Sequence, residues 1–234
     1  MMRRLLIPVL AALVAAGAGA PAEAAAARVK QLVVFRNGDA LQRTTSTRHV
    51  MVSVRGRRCA VGDGTALAAL VRSKPGRLRL RDFGACSARP LDSAGLLVTG
   101  IRSDLNRGQR GLVYKVGQRA ATAGAADMGG PFGHGRLRAG QRVTWFYCVR
   151  AADCQRTLGL TASVFRGGVA AEVRGYDDAG DGIPIAGATV TASGVSGVTD
   201  AEGRVQLELR TGFQRLVARK DGLVRSFTKL VEVP

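Results

Sequence analysis

Gly168-Val169-Ala170-Ala171-Glu172-Val173-Arg174-Gly175-Tyr176 opens a change of texture in this 234-residue chain: from here to Pro234, short β-type runs recur at regular spacing. They cover residues 169–176, 188–193, 195–199, 204–209, 214–220 and 224–233. Turn residues separate them at 177–182, 200–203 and 221–222, where Asp and Gly tolerate left-handed backbone or bond their own main chain. Strands of this length with such turns predict a small β-sandwich of the seven-strand type over residues 168–234.

Upstream the pattern changes. Residues 31–35 and 49–55 alternate apolar and polar positions, as half-buried strands do, and are expected to pair across a polar turn. Asp63-Gly64-Thr65 then precedes Ala66-Leu67-Ala68-Ala69-Leu70-Val71, so Asp63 or Thr65 can cap a short helix that Lys74-Pro75-Gly76 stops. Residues 78–83, 96–102, 112–116 and 143–149 return to β-type residues between glycine-rich loops. One helix packed on a mixed sheet accounts for residues 28–160, and the chain as a whole is predicted to be mainly β with one short helix. The stretch over 117–140 is long for a loop, a length associated with function or mobility. Residues 161–168 read as a short linker.

At the start, Met1-Met2-Arg3-Arg4 leads into an apolar run over 5–16 and then into the small residues around Ala22-Glu23-Ala24. Basic, apolar and small segments in that order form a secretory signal peptide, placed at residues 1–24. The apolar run falls well short of the roughly 20 residues that cross a bilayer. No other stretch is longer, so no transmembrane span is expected in the mature chain. The first cysteine, Cys59, lies far from the cleavage point, which excludes a lipid-modified N-terminal cysteine. Cys59, Cys86, Cys148 and Cys154 in an exported chain imply two disulfides, with three connectivities open. Nearness along the chain favours Cys59 with Cys86 and Cys148 with Cys154. Zinc would want close Cys-x2-Cys pairs or histidines at ligand spacing; neither occurs, and no metal or cofactor is expected.

The formal charge is +18, from 35 Lys and Arg against 17 Asp and Glu, and 30 of the 35 are Arg. Cleavage would remove only Arg3, Arg4 and Glu23 and so leaves the excess in place. Such a balance is a statement about partners rather than fold. An anionic cell-wall polymer or a carbohydrate suits an exported chain; specific nucleic-acid binding does not, given export and the few aromatics.

Two resemblances add to this reading. Thr65, Ala66, Leu67 and Leu70, then Val98-Thr99-Gly100-Ile101, Gly111-Leu112-Val113-Tyr114-Lys115-Val116 and Leu137-Arg138-Ala139-Gly140-Gln141, with Val143, Trp145 and Tyr147, resemble the β-grasp-like domain at the C-terminal end of transcobalamin. That likeness, over roughly residues 30–158, implies a β-grasp-like α+β fold and, as an alternative function, a small-ligand (cofactor-like) carrier. Gly182-Ile183-Pro184-Ile185-Ala186-Gly187-Ala188 with Val190, then Val198-Thr199-Asp200-Ala201-Glu202-Gly203 with Val205, Leu207 and Leu209, resemble the carboxypeptidase-regulatory-like, or prealbumin-like, sandwich. It implies an accessory, adhesive or spacer module and no catalysis.

His49 begins a strand and His134 sits in a glycine-rich loop, so neither stands in a catalytic motif. Asp177, Asp178 and Asp181 resemble a calcium loop without its ligand ladder or terminal glutamate, and read as a polar turn. Gly129, Gly130, Gly133 and Gly135 lack the lysine and hydroxyl of a phosphate-cradling loop. Trp145 and Tyr147 share one face of a strand, serving the core or a ligand platform under the long loop. Arg77, Arg79 and Arg81 alternate, as do Arg55 and Arg57 beside Arg58, which presents charge on one strand face, either solvated or receiving an anionic polymer. The expected protein is therefore a non-enzymatic, secreted binding or adhesive module at the cell envelope. Its mature N-terminus is predicted to lie between residues 21 and 28, and N-terminal sequencing of protein from culture medium or envelope checks this; intact Met1 there would refute cleavage.

Overall fold

A computed structural model describes residues 26–149 and 153–234; the expected signal peptide lies outside the described residues. The first part of the chain runs β1 (Arg28–Val34), β2 (Ala40–Ser46), β3 (Val50–Val54), β4 (Arg57–Val61), α1 (Ala66–Arg72), β5 (Leu78–Asp82), a 3-10 turn (Pro90–Gly95), β6 (Leu96–Ile101), β7 (Asp104–Leu105), β8 (Gly111–Val116), β9 (Arg119–Ala120) and β10 (Arg142–Cys148). The second part runs β11 (Thr157–Phe165), β12 (Gly168–Tyr176), β13 (Gly182–Pro184), β14 (Thr189–Ala192), β15 (Val195–Val198), β16 (Arg204–Glu208), β17 (Gly212–Arg219) and β18 (Lys229–Val233). The protein is mainly β, with α1 its one α-helix among the described residues.

Thr65 is the residue that starts α1: its Oγ1 accepts from Ala68 N at 3.2 Å and donates to Gly62 O at 2.8 Å. Asp63 instead pairs with Arg136. The helix lies over a five-stranded sheet of order β2-β1-β10-β8-β9, in which β1 and β10 are parallel and the other pairs antiparallel. Val29, Val33, Val143, Trp145 and Tyr114 on one face of that sheet share a core with Leu67 and Leu70 of the helix and with Val98 and Ile101 of β6. Burying such side chains supplies roughly 25 cal/mol per Å² of apolar area, the main force holding these layers together.

The opposite face is also closed. In β10 every residue from Val143 to Cys148 is buried, and Leu32, Thr144 and Phe146 are covered by the second part of the chain, away from the helix. A strand wrapped on both faces loses its alternation, so the period-two signal fades where the sheet is central.

The second part is a sandwich. One sheet has β11-β12-β13 with β16 also pairing β12, and the other has order β15-β14-β17-β18. Leu158, Leu160, Val169, Ala171 and Val173 meet Val190, Leu216, Ala218 and Val233 between them. Two readings from sequence are corrected here. Residues 161–168 form no linker: β11 pairs with β12 from Thr157↔Tyr176 to Phe165↔Gly168, so the sandwich begins at Thr157 and has eight strands rather than seven. Thr161 and Ser163 face outward while Leu158 and Leu160 are buried, so the strand is amphipathic. Likewise, residues 31–35 and 49–55 do not pair with each other. The intervening β2 pairs with β1, and β3 pairs with β4 through a two-residue hairpin at Arg55 and Gly56, both with positive φ of 50° and 80°.

Cys59 is bonded to Cys86 and Cys148 to Cys154. The first bridge ties β4 to the segment after β5, where the Asp82 carboxylate also receives the Gly84 and Cys86 N–H groups at 3.0 and 3.1 Å. With separations of 27 and 6 residues, closing these loops stabilises the fold by about 3.5 and about 2 kcal/mol on the chain-entropy account. The C59S/C86S double variant is therefore expected to lose more stability than C148S/C154S, measured by urea unfolding, after peptide mapping without reduction has verified both bonds.

Candidate anion-binding surfaces

The arginine ladder falls where strand geometry puts it. Leu78 and Leu80 of β5 turn inward and are half-buried, leaving Arg77, Arg79 and Arg81 exposed on the other side. β5 is an edge of its three-stranded sheet, paired only with β6; the register slips between Arg79 and Leu80, where Thr99 Oγ1 donates to Arg79 O at 3.1 Å. Arg81 lies 4.4 Å from the centroid of the Phe83 ring, itself 62% exposed, and pairs in register with exposed Leu97. Among the described residues no carboxylate pairs with any of the three. The Arg55 to Arg58 cluster is divided: Arg55 forms the hairpin turn, Arg57 donates to Cys86 O at 2.7 Å and braces the disulfide, and Arg58 is exposed.

Trp145 and Tyr147 are both buried, and they line different hollows. Trp145 stacks on Tyr114 with centroids 5.0 Å apart. Together with Leu96, Val98 and Leu112 they wall an apolar hollow of about 340 Å³. Its rim is the long loop, at Ala121, Ala123 and Ala125, and that loop is pinned down: Ala125 O accepts from Leu67 N and Leu137 N donates to Gly64 O, each at 2.8 Å. At Gly130 (φ 82°) a Cβ would run into the Gly135 carbonyl, so the glycines serve the loop's own compact path. Burial, with the charge of Asp127, pushes the Tyr114 hydroxyl well above the ordinary tyrosine range, and it donates to Ala123 O. The indole Nε1 of Trp145 is buried with no hydrogen-bond partner among the described residues.

His49 and His134 are exposed and lie on separate segments. The acidic turn after β12 is occupied by cations and by its own backbone. Asp177 is held below the ordinary carboxylate range chiefly by the Asp181 N–H, and it also pairs with Arg156 at 3.2 Å. Asp178 pairs with Lys115 at 3.0 Å.

Lys115 was given no role of its own in the sequence reading, yet it joins the two parts of the chain. Its side chain is 1% exposed, and Nζ donates to Tyr176 O at 3.1 Å and to Asp177 O at 2.7 Å besides its ion pair. The signal was a lone charge within the apolar run Leu112-Val113-Tyr114-Lys115-Val116, in a strand too central for a charge to reach water. The seam around it is basic. Arg36 lies 4.8 Å from the Tyr147 ring and Arg142 lies 5.5 Å from the Phe227 ring. Burial first, and then the charge of nearby Arg219, push the Arg225 guanidinium below its ordinary value. These cations come from distant parts of the chain, so no local motif announces them.

No protein-family model, curated protein or solved structure matches this chain. Lys115→Ala leaves two backbone carbonyls and a carboxylate facing an apolar side chain. The expected loss is about 3 kcal/mol, at the low end for a broken buried pair because Asp178 is partly exposed; urea unfolding of the full chain measures it.

Proposed function

We propose that this chain is a non-catalytic binding or adhesive module, exported to the cell envelope, whose partner is an anionic polymer such as an acidic wall polysaccharide. The observation that carries the reading is the row of exposed guanidiniums Arg77, Arg79 and Arg81, without a carboxylate partner among the described residues, at the start of and along an edge strand. Arg presents a fixed fork of donors that matches carboxylate and phosphate oxygens two at a time, and successive inward leucines keep the forks on one side. Two disulfides and a sandwich packed against the first sheet suit a rigid carrier for that row. The likeness of residues 168–234 to carboxypeptidase-regulatory-like sandwiches, and the sheet order β2-β1-β10-β8 beside one helix for a β-grasp-like first domain, support an accessory role. Attraction of this kind is screened, since the Debye length falls from about 8 Å at physiological salt to roughly 3 Å at molar salt. The mature protein is expected to sediment with isolated anionic wall material and to be released by molar salt. R77Q/R79Q/R81Q should weaken retention more than three glutamines placed at scattered arginines. Absence of binding at low salt, or binding unchanged in molar salt, would defeat the reading.

A second reading, a small-ligand carrier, is favoured by one observation: the apolar hollow beneath the long loop contains Trp145, whose N–H has no partner among the described residues. Trp145 is the only tryptophan, so the chain's indole fluorescence reports directly on that hollow. An apolar aromatic probe with one acceptor should shift and quench this emission saturably, and Ala121→Phe, which fills the space without adding a second indole, should abolish the response.

A further inference from the structure

The seam between the sheet and the sandwich carries more unbalanced charge than the ladder does. Three hollows lie along it. The first, of about 460 Å³, is lined by Arg36 of the first part and by Arg219, Lys220 and Arg225 of the second, with Asp221 its one acid. The last, of about 400 Å³, is lined by Lys30, Arg43 and Arg142 from the sheet and Lys229 from the sandwich, with no carboxylate at all. A small hollow between them shares Arg225 with the first, and Arg142, Phe227, Thr228 and Lys229 with the last, and has no acidic lining either. None of these cations pairs with a carboxylate among the described residues.

Their positions follow from the fold. Lys30 and Arg142 are register partners on parallel β1 and β10, and Thr44 faces Lys30 across β2, so the three stand in a row across the sheet. Thr228 N donates to Gln42 Oε1 at 2.7 Å, which lays the segment leading into β18 along this row and brings Lys229 beside it. Arg142 and Arg36 rest against aromatic rings, which orients a guanidinium while leaving its N–H edge free for an acceptor. Like charges gathered this way repel one another: burial first, and then the charge of Arg219, hold the Arg225 guanidinium below its ordinary value. An anion relieves the repulsion.

We infer that the seam is a second anion site that holds an extended segment of a linear polyanion across both domains. This rests on the reading that the chain binds an anionic polymer, and it locates a site the arginine ladder does not include. A single small anion would balance one hollow only; a chain with a charge on each repeating unit balances the series. Because both banks supply cations, the bound polymer also clamps the sandwich to the sheet, so binding stabilises the whole chain by linkage.

The test uses the mature full-length protein, with long-chain inorganic polyphosphate as probe and affinity and melting temperature as readouts. The seam variant is K30Q/R43Q/K229Q, three side chains with no hydrogen bond or ion pair to lose within the described residues, and the ladder variant is R77Q/R79Q/R81Q. Each removes three positive charges. The inference expects the seam variant to bind about tenfold more weakly, at roughly half a kcal/mol per exposed pair. It also expects polyphosphate to raise the melting temperature of the wild type and of the ladder variant but not of the seam variant, and orthophosphate at equal phosphorus to compete poorly. Equal weakening by both variants means diffuse attraction and overturns the seam. Weakening by the ladder variant alone overturns the seam and leaves the proposed function standing. Full competition by orthophosphate identifies a single-ion site and overturns the polymer. If the wild type binds neither polyphosphate nor polygalacturonate at low salt, the proposed function fails and the seam with it.

Discussion

The ammonium of Lys115 sits inside the protein, where a charge without partners would cost several kcal/mol. It is tolerated because the sandwich brings it two carbonyls and a carboxylate from one turn, Tyr176 to Asp178. The turn in turn is shaped by Asp177, which receives the Asp181 N–H and pairs with Arg156. The ammonium thus makes the docked arrangement the one in which it is satisfied. Ala120 N donating to Asp178 O adds a backbone bond to the same junction.

From that junction follows the rest of the architecture. With the sandwich seated, the central strands β1 and β10 are buried on both faces, Leu32 and Phe146 leave water, and β10 becomes the centre of the molecule rather than the wall of one domain. The same seating gathers basic side chains from β1, β2, β10 and the segment before β18 along one seam. Charge that is dispersed in sequence becomes local in space. The ladder on β5 is different in kind: it is made by strand alternation alone and owes nothing to the sandwich.

Local physics was legible where the deciding residues lie within a few positions of one another. The helix over Ala66–Arg72 was readable from its Thr65 cap and its Lys74-Pro75-Gly76 stop, and β5 from leucines alternating with arginines. Cysteine spacing favoured the pairing that is present. Elements were missed where composition disguised them. β11 turns Thr161 and Ser163 outward and ends in exposed Val164 and Phe165, and it looks like a tether until its pairing with β12 is seen. β2 buries little besides Thr45, so an edge strand passed for a turn.

By itself the sequence determined the mainly β character, the capped helix, the cysteine pairs available for bonding and the arginine ladder, because each depends on residues within a few positions of one another or on chain proximity. Only the tertiary structure decided that β1 and β10 lie parallel, that Trp145 and Tyr147 line separate hollows, and that Lys115 serves as the junction. Those outcomes depend on which surfaces meet, and the energy that selects them is burial and charge solvation summed over residues far apart in the chain.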